Sequence, residues 1–136
     1  MMYLIDTNIC IYIMNNYSQE VIQKCRSVGV GNIYISSITM SELCYGVNKS
    51  QKIRENTKRL EEFLKPFTIL SYGENASLCY GEIRANLERK GNTIGSLDML
   101  IAAHALSEDL ILVTNNTKEF NRIETLKVEN WVVNKQ

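Results

Sequence analysis

The chain has one histidine, one proline and one tryptophan in 136 residues, and neither sign of charge is in excess: fifteen Lys and Arg face fifteen Asp and Glu. Each shortage excludes something. A lone histidine, His104, cannot supply the acid–base pair of a nuclease that works with two histidines. Cys10, Cys25, Cys44 and Cys79 form no CxxC pair and have only that one His to complete a zinc set, so they read as reduced, mostly buried small hydrophobes. Without net positive charge there is no overall field to attract nucleic acid, so such a ligand would have to be held by a local patch or by bound metal. Long apolar runs are also missing. The first, residues 1–5, stops at Asp6, far too short for a secretory signal or a membrane span, and the expected address is cytoplasmic, with no membrane partner. There is no GxxxxGK[ST] loop, and Gly29-Val30-Gly31 lacks the third glycine of the dinucleotide fingerprint and reads as a turn.

What is present is ordinary globular usage, 45% apolar and 22% charged, in a chain long enough to bury a continuous core. One domain covering 1–136 is expected. Short apolar strands are expected at residues 2–5, 32–36, 67–70 and 110–113, with a further one near 127–132. Between them lie segments of helical spacing. Ile9, Tyr12 and Ile13 follow Asp6-Thr7-Asn8; a second helix spans 18–28; Ser37 and Thr39 can cap a third carrying Met40, Leu43, Cys44 and Val47; a charged helix covers 50–64. Residues 74–90 make the clearest amphipathic helix, stopped by Gly91. Another starts near Gly95, and a short one lies around 118–122. Short apolar strands separated by helices indicate an α/β domain with a mostly parallel sheet of four to five strands, covered on both faces.

In such sheets ligands bind beyond the carboxyl ends of the strands. Asp6 directly follows the first strand and Thr114-Asn115-Asn116 follow the fourth, so both groups face one crevice if those strands are neighbours. Four acids lie at such places, and each has a purely structural explanation. Asp6 can be a helix cap, Glu42 stands at capping-box distance from Thr39, Asp98 falls in a first helical turn, and Glu119 stands three residues after Asn116. Together they mean more, because carboxylates converging in a partly buried cleft repel one another unless a hard cation is bound. Oxygen ligands suit Mg²⁺ or Mn²⁺ better than zinc. His104, inside the apolar string Ile101-Ala102-Ala103-His104-Ala105, reads as a packed, hydrogen-bonded structural histidine. Basic residues at 49–59 read as a solvated helix face, and Arg84 could reach a phosphate.

Four stretches, in order and across nearly the whole chain, resemble the PIN-domain family, and within it the VapC-type toxins of bacterial VapBC toxin–antitoxin pairs. They are Leu4-Ile5-Asp6-Thr7-Asn8, Ser36-Ser37-Ile38-Thr39-Met40-Ser41-Glu42-Leu43, Ile94-Gly95-Ser96-Leu97-Asp98-Met99-Leu100-Ile101-Ala102-Ala103-His104-Ala105, and Val113-Thr114-Asn115-Asn116-Thr117-Lys118-Glu119-Phe120. The resemblance implies a PIN-like three-layer α/β/α fold and a metal-dependent endoribonuclease. Asp6 and Asp98 would bind Mg²⁺ or Mn²⁺, Glu42 and Glu119 would complete the acidic set, and Thr7, Asn8, Thr114 and Asn116 would support it. Many family members carry aspartate where this chain has Asn116, and Leu97 is bulky for its place beside Asp98.

The resemblance further implies cleavage of transfer RNA in the anticodon stem-loop, including initiator tRNA, and a VapB-type antitoxin whose tail enters the acidic cleft and whose other domain binds operator DNA. It implies a homodimer as well. Ile9, Ile13, Leu43 and Val47 could serve either the core or a partner. Two other functions fit the residues taken alone: a non-catalytic α/β regulatory binding module and a metal-dependent phosphatase acting on small molecules.

Overall fold

The computed structural model describes residues 1–133; residues 134–136 of the expected single domain lie outside the described residues. Five short strands, β1 (Tyr3–Ile5), β2 (Ile33–Ser36), β3 (Thr68–Leu70), β4 (Ile111–Val113) and β5 (Val128–Glu129), form one sheet in the order β3-β2-β1-β4-β5. Every pairing is parallel, with Tyr3 opposite Ile33 on one side and Ile111 on the other. The helices are α1 (Thr7–Met14), α2 (Gln19–Val28), α3 (Ser37–Asn48), α4 (Ile53–Leu64), α5 (Glu74–Arg89), α6 (Ser96–Ser107) and α7 (Thr117–Phe120). The expected three-layer α/β/α arrangement is the observed one.

Alternation along the central strands builds two cores. Tyr3 and Ile5 of β1, with Ile111 and Val113 of β4, face a cluster with Ile9, Val21, Leu43 and Leu60 from α1 to α4. Leu4 and Leu112, one residue out of phase, face the opposite cluster with Ile83, Leu87, Ile101 and Phe120 from α5 to α7. A strand with helices on both sides has no polar face to show, which is why β1 and β4 are buried at every position. Helix α3 touches both cores: Leu43 belongs to the first and Ile38 packs against the second.

Boundaries moved where several residues could cap. Ser36, and neither Ser37 nor Thr39, caps α3, its hydroxyl accepting from Ile38 N–H at 3.1 Å. The capping-box reading of Glu42 therefore fails, since Thr39 is inside the helix and buried. The charged helix starts at Ile53, three residues later than its pattern indicates, and β5 is shorter than expected. Gly91 takes φ +62°, the left-handed conformation that ends α5, and Gly29 at φ +89° opens a 3₁₀ turn, Val30–Asn32.

Candidate active site

Strand order reverses direction between β1 and β4, and the crevice past their carboxyl ends is where the site lies. Asp6 leaves β1 and caps α1, with Oδ1 accepting from Ile9 N–H at 3.0 Å. Its own N–H donates to Val113 O of β4 at 3.1 Å. The residue thus joins the two strands while its carboxylate faces the crevice, 95% hidden from solvent. Burial raises its pKa, as does the nearby Glu42 carboxylate, against hydrogen bonds from the Thr114 side chain and from the Ile9 and Asn8 backbone. Asn8 serves here through its backbone, its side chain being exposed.

Glu42, one and a half turns into α3, reaches across to α1. Thr7 Oγ1 donates to its Oε1 at 2.7 Å and lies 3.3 Å from Thr39 Oγ1. Asp98 sits in the first turn of α6, half-buried, and a side chain on Gly95 would stand 3.5 Å from its Oδ2. Its carboxyl is pushed up to about 6, first by burial and then by Glu119, Asp6 and Glu42. The four acids named from the sequence therefore share one electrostatic neighbourhood. Glu119, on α7, is held by Asn116, whose amide donates to Oε2 at 2.9 Å, while Thr114 Oγ1 accepts from Asn116 N–H at 2.9 Å.

Hard oxygen donors at the end of a parallel sheet, one of them with its acid form favoured by burial and then by three other carboxylates, suit a divalent cation that would offset their repulsion. Among the described residues no three such side chains already close as a metal cage. Mg²⁺ is commonly bound by one or two carboxylates, with water and substrate phosphate completing its shell, and Asp6 and Asp98 fit that pattern.

Two side chains at this site escaped the reading of the sequence. Thr39 reads as a cap and Ser36 as the end of a strand, and although both fall in a family-like stretch neither is given a part in the site. Each touches residues more than thirty positions away, for which local spacing carries no signal. Arg84, half-exposed, bonds Glu88 at 3.2 Å and Tyr80 Oη at 3.0 Å on its own helix. His104 is buried as expected, its Nδ1 2.7 Å from Ser36 Oγ. Beside Glu42, an apolar groove of about 190 Å³ runs between α1, α3 and α4, lined by Ile11, Met14, Leu43, Val47 and Arg59. Ile9 is wholly interior, while Ile13 and Val47 are partly covered.

A parallel sheet in this order with acids at its carboxyl edge defines a PIN-type domain, and the PIN domain family profile matches residues 3–126. The chain belongs to the PIN-domain family. It is 45% identical to ribonuclease VapC2 of Rickettsia felis, covering 96% of this chain and 98% of that one. It is 41% identical to the tRNA(fMet)-specific endonuclease VapC of Shigella flexneri, covering 95% and 97%. The VapBC2 structure from Rickettsia felis, bound to a DNA fragment from its promoter, superimposes with a TM-score of 0.91 at 44% identity, covering 96% of this chain and 99% of its counterpart.

Proposed function

We propose that this protein is the toxin of a VapBC pair, an endoribonuclease dependent on Mg²⁺ or Mn²⁺ that cleaves transfer RNA, with the anticodon stem-loop of initiator tRNA as its target. The observation that carries the reading is the convergence of Asp6, Glu42, Asp98 and Glu119, whose repulsion adds to burial, the larger cause, in pushing the Asp98 carboxyl up to about 6. The names of the Rickettsia and Shigella relatives supply the reaction and the substrate class.

Asp6 and Asp98 are the residues that would hold the cation. When bound, Mg²⁺ or Mn²⁺ supplies neutralisation of phosphoryl charge and a lowered pKa for water. The protein's own part is positional. Thr114 and the Ile9 amide orient Asp6, Thr7 fixes one oxygen of Glu42, and Asn116 fixes one oxygen of Glu119. Glu42 or Glu119 then accepts the proton of the attacking water through its other oxygen. In-line attack on phosphorus breaks the bond to the 3′ oxygen and leaves 5′-phosphate and 3′-hydroxyl ends. No 2′-hydroxyl takes part, so the single histidine is no obstacle.

By the same reading, a VapB-type antitoxin inhibits the enzyme, its apolar segment lying in the groove beside Glu42, and DNA is met through the antitoxin. The toxin acts as a homodimer in the cytoplasm; no helix among the described residues is long and apolar enough to cross a membrane. The test is to incubate labelled initiator tRNA and a generic phosphate monoester with Mn²⁺ and with excess EDTA. Cleavage of the tRNA alone, lost in EDTA and in Asp6→Asn and Asp98→Asn, is expected. Undiminished cutting in EDTA, or full activity in both variants, overturns the nuclease. Hydrolysis of the monoester alone points to a phosphatase.

A further inference from the structure

His104 is the buried polar member of a helix stretch otherwise made of Met99, Ile101, Ala102, Ala103 and Ala105. Its Nδ1 lies 2.7 Å from Ser36 Oγ, its fully buried Nε2 makes no well-formed hydrogen bond, and the Ser71 backbone lies close enough to favour the protonated ring. Burying an imidazole whose second nitrogen is poorly satisfied is costly, and an apolar side chain of similar size would avoid that cost. Core packing alone therefore does not account for this residue. Its one strong bond reaches outside its own layer.

Ser36 ends β2 and caps α3, accepting from Ile38 N–H. The serine oxygen keeps a second lone pair as well as its proton, so the Ser36–His104 bond runs in either direction according to the tautomer of the ring. The next residue is held as well: Tyr72 N–H donates to Ser37 Oγ at 3.0 Å, and the Tyr72 ring meets the His104 ring edge-on, with centroids 5.4 Å apart. The first turn of α3 is thus clamped from two sides. Glu42 follows Ser36 by six residues on the same rigid helix, and Asp98 precedes His104 by six residues on α6. Helix geometry carries a displacement at the clamp to both carboxylates with little loss.

We propose that His104 is a positioning residue: through its hydrogen bond to Ser36 it fixes the start of α3 against α6, and so sets where Glu42 stands relative to Asp98. Its effect on turnover rests on the nuclease reading above; its effect on the carboxylates does not. Binding is little affected because neither His104 nor Ser36 reaches the surface.

The test compares His104→Phe, His104→Asn, Ser36→Ala and Ser36→Thr in the full chain. In the metal-free protein, carboxyl ¹³C resonances of Glu42 and Asp98 are followed by NMR, with the His104 ring nitrogens as reporters of tautomer. In the Mn²⁺-loaded protein, kcat and KM are measured on RNA. His104→Phe and Ser36→Ala should move both carboxyl resonances and lower kcat by about 10- to 100-fold, as loss of a supporting partner does at comparable sites, with KM within about twofold. The double variant should be no worse than Ser36→Ala, which already removes the bond to His104 along with the cap on Ile38 N–H. His104→Asn and Ser36→Thr, which keep a polar group in place, should restore most of kcat.

A folded His104→Phe with unmoved resonances and wild-type kcat overturns the proposal, as does His104→Asn as impaired as His104→Phe. If His104→Phe does not fold, the serine pair decides, and a Ser36→Ala protein indistinguishable from wild type overturns it. Wild-type protein that leaves RNA intact refutes the nuclease reading, and the carboxyl resonances then decide on the clamp.

Discussion

The Thr7 hydroxyl donates to Glu42 Oε1 at 2.7 Å, joining residues thirty-five positions apart and the first turn of α1 to the middle of α3. A charge-assisted bond of this length holds one carboxylate oxygen still while the other is left for substrate or water. Thr7→Val removes the donor at nearly constant volume and should lower kcat by about 10- to 100-fold with the fold intact, whereas Thr7→Ser should keep most activity. Single-turnover cleavage of a labelled stem-loop, beside a circular dichroism spectrum, reads both.

Asp98 is held in a field of three other carboxylates. Asp98→Asn removes a charge from that repelling set, so the metal-free variant should melt at a higher temperature than wild type at neutral pH. Mn²⁺ should raise the wild-type melting temperature and leave the variant nearly unchanged, because a ligand that binds only the folded state stabilises it by mass action. Differential scanning fluorimetry with and without EDTA supplies all four values.

His104 governs acid sensitivity from another direction. Burial lowers its pKa below the usual imidazole range, against the Glu108 carboxylate and the Ser71 backbone, which act to raise it. The unfolded chain therefore binds the proton more readily than the folded one, and this group's contribution to stability is lost as pH falls below about 6.5 and through the folded value. Wild type should lose more stability than His104→Phe between pH 7.5 and pH 5, as measured by urea denaturation at each pH.

Phe120 is fully buried directly after Glu119 and closes α7. Phe120→Ala should cost about 3–5 kcal/mol of stability, and because the same turn presents Glu119, activity at a temperature where the variant is still folded should fall as well. Chemical denaturation and an activity assay at 15 °C separate the two effects.

The groove beside Glu42 offers a way to part inhibition from catalysis. Val47→Arg places charge among Ile11, Met14 and Leu43 and should weaken capture by a VapB-type antitoxin at least tenfold, with little change in RNA cleavage. Titration of the antitoxin against a fixed rate of cleavage gives both numbers.

The sheet and the places of Asp6 and Thr114 at its edge were legible because they rest on local rules. A three-residue apolar strand followed at once by Asp6, or by Thr114, announces the carboxyl edge of a parallel sheet before any contact is known. The start of α3 was not legible for the opposite reason. Ser36, Ser37 and Thr39 are all competent caps within four residues, and the choice among them is made by the end of β2 and by His104, sixty-eight positions away. Asp6 shows the two kinds of information together: its role as a cap is local, while its placement beside Glu42 and Asp98 required the strand order.

That order, with the first strand at the centre and its partner β4 near the far end of the chain, also governs when the molecule becomes dangerous. Asp6 leaves the ribosome before Glu42, Asp98 and Glu119 do. Until β4 has emerged to pair with β1, the crevice has one wall and its carboxylates have no common place to meet. A ribonuclease built on this plan is inert until those strands dock, which leaves an antitoxin made alongside it time to be waiting.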